Sequence, residues 1–187
     1  SIIENKEEFL SPTAFIQSTH NTVGSQIAIN LKCKNYNMTY VHGSISFELA
    51  LFDSQLLISE NQAKNILVGG IDELGKKIVD DTLKLENNFK NGINVPLSEG
   101  SHFFIISSIK TSNSIAILKG IEIYHKISEN EILNKINLFL KKINISKVDA
   151  IILGFNGDVW DKYYKILTDN LFKNTPQVQY KNISGEF

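Results

Sequence analysis

One cysteine, Cys33, stands in 187 residues, which excludes an internal disulfide or a cysteine-rich zinc site and fits a reducing, cytoplasmic setting. No apolar run reaches the roughly 18 residues that a membrane-spanning helix requires. The opening stretch SIIENKEEFLSP lacks a basic region followed by an apolar core, so it does not read as a secretion signal. It also lacks an initiator methionine, from which we expect the chain to begin inside a longer protein. An excess of one charge is missing too: 19 basic residues against 20 acidic ones leave a formal net charge of -1. The broad positive field that nucleic-acid binding needs is therefore absent. The four histidines, His20, His42, His102 and His125, form no i, i+4 pair and have no cysteine or carboxylate at ligand spacing. Neither a metal site nor a cofactor is expected.

What is present is a 42% hydrophobic content, enough for one domain over residues 1–187 with a substantial core. In HNTVGSQIAINLKCKN, Val23, Ile27 and Leu31 recur at helical spacing beside Ala28, with Asn21 or Thr22 placed to cap. NMTYV reads as a short strand, and Ser44 or Ser46 opens a helix lined on one side by Phe47, Ala50, Leu51 and Leu57. NILVGG is a continuous apolar run ended by two glycines, the form of a strand buried on both faces. The polar stretch from Ile71 to Gly100 reads as a surface excursion with a helical turn or two. SHFFIISSIK and NSIAILKGIEIYHKI read as adjacent strands joined by TSN as a tight hairpin turn. Ser128 precedes Glu131 at capping-box spacing, ahead of a helix whose stripe is Ile132, Ile136, Phe139 and Leu140. KVDAIILGFNGD is a buried strand meeting a glycine turn, VWDKYYKILTDNLF a helix, and QVQYKNI extended. Helices alternating with buried strands argue for layered α/β packing.

Several residues invite a chemical reading. His42, beside Gly43 at a strand-to-helix bend, is placed to face a pocket as a candidate acid–base group, although a hydrogen-bonded turn residue explains it as well. Cys33 lies between two lysines that would raise its reactivity if exposed, yet it has no visible partner. GFNGD has neither the glycine spacing nor the lysine of a nucleotide loop, and a tight turn with Asp158 near the following helix start accounts for it. Trp160, Tyr163 and Tyr164 read as core or interface before they read as a ligand cage.

Taken in order, the segments SPTAFIQSTHNTVGSQIAINL, TYVHGSISFELAL, NILVGGIDE, LSEGSHFFII, VDAIILGFNGD and YKNISGEF resemble the β-ketoacyl-acyl carrier protein synthases, condensing enzymes of thiolase-like fold. The pattern at Ser18 to Thr22, Tyr40 to His42, Ser46 to Glu48 and Asp53 is most similar to ketosynthase-like and chain-length-factor-like proteins encoded with aryl-polyene and flexirubin pigment pathways of Bacteroidetes. The resemblance implies an α/β fold layered α-β-α-β-α around two mixed five-stranded sheets, of which this chain supplies the central portion without the N-terminal and C-terminal parts. It also implies a place in fatty-acid, polyene or other polyketide-type synthesis, an acyl carrier protein as partner, and a dimer with an active ketosynthase or with a second copy.

An active ketosynthase uses one cysteine and two histidines. The resemblance puts His42, or else Val41 or Gly43, where the thiol belongs, Phe155 or Asn156 at the first histidine position, and Glu186 at the second, with the family's lysine kept as Lys181. An imidazole forms no stable thioester to hand on, and a carboxylate repels a developing oxyanion. The implied protein is a non-condensing subunit with Phe15, His42, Phe47 and Phe155 lining an acyl tunnel and Lys181 and Glu186 as an ion pair. Two alternatives stay open: an acyl-thioester enzyme, a 3-oxoacyl synthase or malonyl decarboxylase, that uses His42 with Glu186 as acid and base, and a plain structural or interaction protein.

Overall fold

The computed structural model describes residues 12–76, 79–80 and 93–186, and the chain divides into two compact units, 1–53 and 54–187.

In the first unit, α1 (Pro12–Gln17) begins with proline at the first helical position, where the missing N–H goes unused. The cap expected for α2 (Thr22–Asn30) at Asn21 or Thr22 is not made, since Asn21 is itself helical and its side-chain oxygen accepts from the Thr19 hydroxyl at 2.7 Å rather than from a helix N–H. The hydroxyls of Thr19 and Thr22 instead donate back to the Ile16 carbonyl at 2.9 and 2.5 Å, tying α2 to the end of α1. The apolar face of α2 is only half covered: Ile27 and Ala28 are partly buried while Val23 and Leu31 are exposed. NMTYV does not form a strand. Among the described residues no ladder partner takes up its backbone groups, and a strand exists only where a neighbour continues the hydrogen bonds. The bend beyond it forms as read, through a 3₁₀ turn (Gly43–Ile45) into α3 (Ser46–Ser59). Gly43 supplies a left-handed φ of 60°.

The boundary between the units falls within α3. In the second unit, β1 (Asn65–Asp72) pairs antiparallel with β2 (Gly100–Ser107). Gly69 lies opposite Phe103, and a Cβ there would sit 2.2 Å from the Phe103 ring, so the glycine makes room for the cross-strand aromatic. NILVGG is covered on one face only, because Val68 is buried while Leu67 and Ile71 on the opposite face are exposed. The hairpin expected between residues 101–110 and 113–127 is also replaced. TSN does turn, with Ser114 N bonded to Thr111 O at 3.1 Å, but the strand that β2 pairs with is β1, in an eight-residue register. Residues 114–127 form no strand and lie instead along α4 (Glu129–Lys142). There Gly120 faces Ile143 and Phe139, Lys142 reaches Glu122 at 2.9 Å, and the Tyr124 hydroxyl bonds Glu122.

Helix α4 is the best-read element. Glu131 closes the capping box on the backbone N–H and hydroxyl of Ser128, and Ile132 is buried with Ile136, Phe139 and Leu140 partly so. β3 (Ile151–Leu153) buries Leu153 but leaves Ile152 71% exposed, so it too is covered on one side. α5 (Asp161–Asn170) packs on α4, with Lys162 bridging to Glu129 at 2.7 Å. β4 (Gln177–Gln179) runs parallel to β3, and the extended reading of QVQYKNI stops there, because α6 (Lys181–Ser184) begins two residues later. Of the surface excursion from Ile71 to Gly100, residues 77–78 and 81–92 lie outside the described residues. The described strands make two two-stranded sheets, and no described helix is long and apolar enough to cross a membrane.

Candidate functional site

Two segments of the second unit, the turn at Asn156 and the stretch from Lys181 to Glu186, meet at one carboxylate. Glu186 Oε1 and Oε2 lie 2.7 and 2.6 Å from Lys181 Nζ, and Asn156 Nδ2 donates to Oε2 at 3.1 Å. The Lys181 and Glu186 side chains are only 16% and 17% exposed.

Local sequence explains why they meet. Gly185 ends α6 with φ of 83°, and a Cβ there would lie 2.6 Å from Ser98 Oγ and 2.7 Å from Pro96 O. Only glycine lets the chain turn so close to that loop. The turn delivers Glu186 into a backbone pairing with residues 96–98: Glu186 N donates to Pro96 O at 2.8 Å and Ser98 N to Glu186 O at 2.9 Å. Asn156 sits in the turn between β3 and α5. Its carbonyl accepts from Asn94 N at 2.7 Å, and its side-chain oxygen from Asp158 N at 3.0 Å. Asp161, the first residue of α5, accepts the N–H groups of Asn156 at 3.2 Å and Gly157 at 2.9 Å. The carboxylate that organises this turn is thus Asp161, while Asp158 caps only Trp160 N at 2.7 Å.

Burial pulls the Lys181 ammonium toward its neutral form, but the hydrogen bond and charge of Glu186 outweigh it and hold the pKa above the ordinary lysine value. Behind the pair, Tyr164 tilts against Phe155 with ring centroids 5.1 Å apart. A Cβ on Gly154 would come within 2.9 Å of the Tyr164 hydroxyl, so glycine admits that ring. Burial raises the Tyr164 pKa, opposed by the nearby Lys181 charge.

Chemically the junction is closed on itself. Stabilising an oxyanion takes N–H donors aimed at where the charge develops. Here the N–H groups of Ser98, Asn156, Gly157, Asp158, Gly185 and Glu186 all have acceptors within the protein. Glu186 has both oxygens on one ammonium and one of them also on the Asn156 amide, so its hydrogen-bonding positions are already engaged within the protein.

Of the other residues singled out from the sequence, Phe15, Cys33, His42 and Phe47 belong to the first unit. His42 is exposed at the bend, and its backbone N–H donates to Ser46 Oγ at 2.8 Å while that hydroxyl donates to Gly43 O at 2.7 Å. This is the hydrogen-bonded turn residue of the plainer reading. Phe15 is exposed on α1, and Phe47 is partly buried at the start of α3. Cys33 is exposed beyond α2 and lines an open groove with Asn21, Ser25, Ala28 and Asn37. The aromatic trio divides: Tyr164 packs inward, while Trp160 is exposed and stacked on Tyr163 at 6.0 Å. Among the described residues no group of three or more histidine, cysteine or acidic side chains is placed to hold a metal. Sequence reasoning missed Asn94, Pro96, Ser98, Tyr164 and Asp161 as parts of the junction. Only Asp161 carried a signal, a carboxylate in the first turn of a helix four residues past a glycine.

No family model matches the chain, and no curated protein matches it. Among solved structures it is similar to "The ishigamide ketosynthase/chain length factor", with a TM-score of 0.67 and 15% identity over 94% of this chain and 49% of that one. The chain therefore spans about half the length of that protein. The likeness shows the fold alone: this chain is folded as about half of that ketosynthase/chain length factor is folded, in agreement with the α/β expectation.

Proposed function

We propose that the protein is a non-condensing, chain-length-factor-like subunit of polyketide-type acyl assembly, in fatty-acid or polyene synthesis, with residues 1–187 as one ketosynthase-like domain of the layered thiolase type. The observation that carries this reading is the self-closed junction of Asn156, Lys181 and Glu186 at the two positions where the resemblance expects histidines. A neutralised carboxylate surrounded by donors already in use supplies no oxyanion site, and the bend presents His42 in place of a thiol. Such a subunit works in the cytoplasm by pairing with a cysteine-bearing ketosynthase or with its own copy, receives chains from an acyl carrier protein, and shapes a tunnel with Phe15, His42, Phe47 and Phe155. Pigment-pathway membership follows from the motif pattern at Tyr40 to Asp53.

The test is co-expression with a cysteine-bearing ketosynthase followed by copurification and chain-length analysis of the products. A stable complex whose products change length when Phe155 is replaced supports the reading, and a chain that neither binds the ketosynthase nor alters its products contradicts it. The second reading, an acyl-thioester enzyme using His42 with Glu186, has the double engagement of Glu186 by Lys181 against it.

A further inference from the structure

We infer that Asn156 and Lys181 form a carboxylate-binding cradle that Glu186 fills from within, so that the chain carries its own internal ligand at this site. Three features point to a cradle with an occupant. The first is the donor set. An ammonium reaches both carboxylate oxygens at 2.7 and 2.6 Å, and a side-chain amide reaches one of them at 3.1 Å, the charge-assisted arrangement in which proteins bind free carboxylates. The second is independent anchoring. Asn156 is fixed by Asn94, Asp158 and Asp161, and Glu186 by backbone bonds to Pro96 and Ser98, so removing the Glu186 side chain leaves the main-chain scaffold in place. The third is burial. With the pair no more than 17% exposed, loss of the carboxylate leaves a largely covered ammonium that is costly to keep unpaired and that another small anion can neutralise.

The ligand class is a small carboxylate. The inference deepens the function proposed above and rests on it only for the natural identity of the excluded guest, the free carboxylate of a malonyl-type thioester. While Glu186 occupies the cradle, such a group finds no cation to neutralise it and meets a negative charge of its own sign. No covalent step is involved.

The experiment is rescue of Glu186→Ala by sodium acetate, with sodium chloride at equal ionic strength as the control and thermal unfolding as the readout. It needs no carrier protein or ketosynthase, so its failure is distinguishable from failure of the functional reading. We expect Glu186→Ala to unfold several degrees below the parent protein, and acetate but not chloride to raise its midpoint by a few degrees in a saturable way. The double variant Lys181→Met, Glu186→Ala should show no acetate response. If Glu186→Ala fails to fold in chloride, soluble protein recovered in acetate supports the cradle, and failure in both salts overturns it. An acetate response that is absent from Glu186→Ala, or that persists unchanged without Lys181, also overturns it.

Discussion

Lys181 and Glu186 stabilise each other in a setting where neither tolerates solitude. Glu186→Ala should destabilise the protein by about 2–3 kcal/mol, since it strands a poorly hydrated ammonium. Replacing both by apolar residues, Lys181→Met with Glu186→Leu, should cost less than that single change, because no buried charge then remains. Urea unfolding of the three proteins checks both statements. A pH consequence follows from the raised Lys181 pKa. A lysine held above its ordinary value of 10.5 in the folded state contributes stability that is fully present below that value and drains away as pH rises through the folded pKa. Tyr164, raised by burial, is lost in the same alkaline direction. The difference between the parent and Lys181→Met, followed by unfolding from neutral to strongly alkaline pH, isolates the lysine: the parent should lose more. The ion pair of Lys181 with Glu186 was expected through the family resemblance, whereas the bond from Asn156 to the same carboxylate was not. What was not legible is how the junction is built, because Asn94, Pro96 and Ser98 act through main-chain groups that any residue type possesses.

Helix α4 was readable from Ser128 to Leu140 because a capping box and a 3.6-residue stripe are local signals. Ser128→Ala should therefore cost about 1 kcal/mol, measurable by chemical denaturation. Strand pairing was not readable in the same way. The sequence places residues 113–127 beside 101–110, whereas β2 found its partner in β1 some 30 residues upstream; register between distant segments depends on contacts such as Gly69 with Phe103 that no local pattern announces. That contact gives the next prediction: Gly69→Ala should cost about 1–3 kcal/mol through its clash with the Phe103 ring, partly offset in a Phe103→Ala background. Equal losses in both backgrounds would mean that the ring is not what the glycine accommodates. One-sided burial of β1 and β3 has a related cause. A run of apolar residues reports how hydrophobic a strand is but not how many of its faces find cover.

Taken whole, the chain matches about half of a ketosynthase/chain length factor in fold at 15% identity, a level at which fold outlasts chemistry. The function proposed here therefore rests on the site, where the groups that would stabilise an oxyanion are already bonded to one another. The most direct measurement is the intact mass of the protein after incubation with malonyl carrier protein, alongside assay for released carbon dioxide. The account predicts an unchanged mass and no decarboxylation above background without a ketosynthase partner. A stable acyl adduct on this chain, or partner-free decarboxylation abolished by Glu186→Gln, would contradict it.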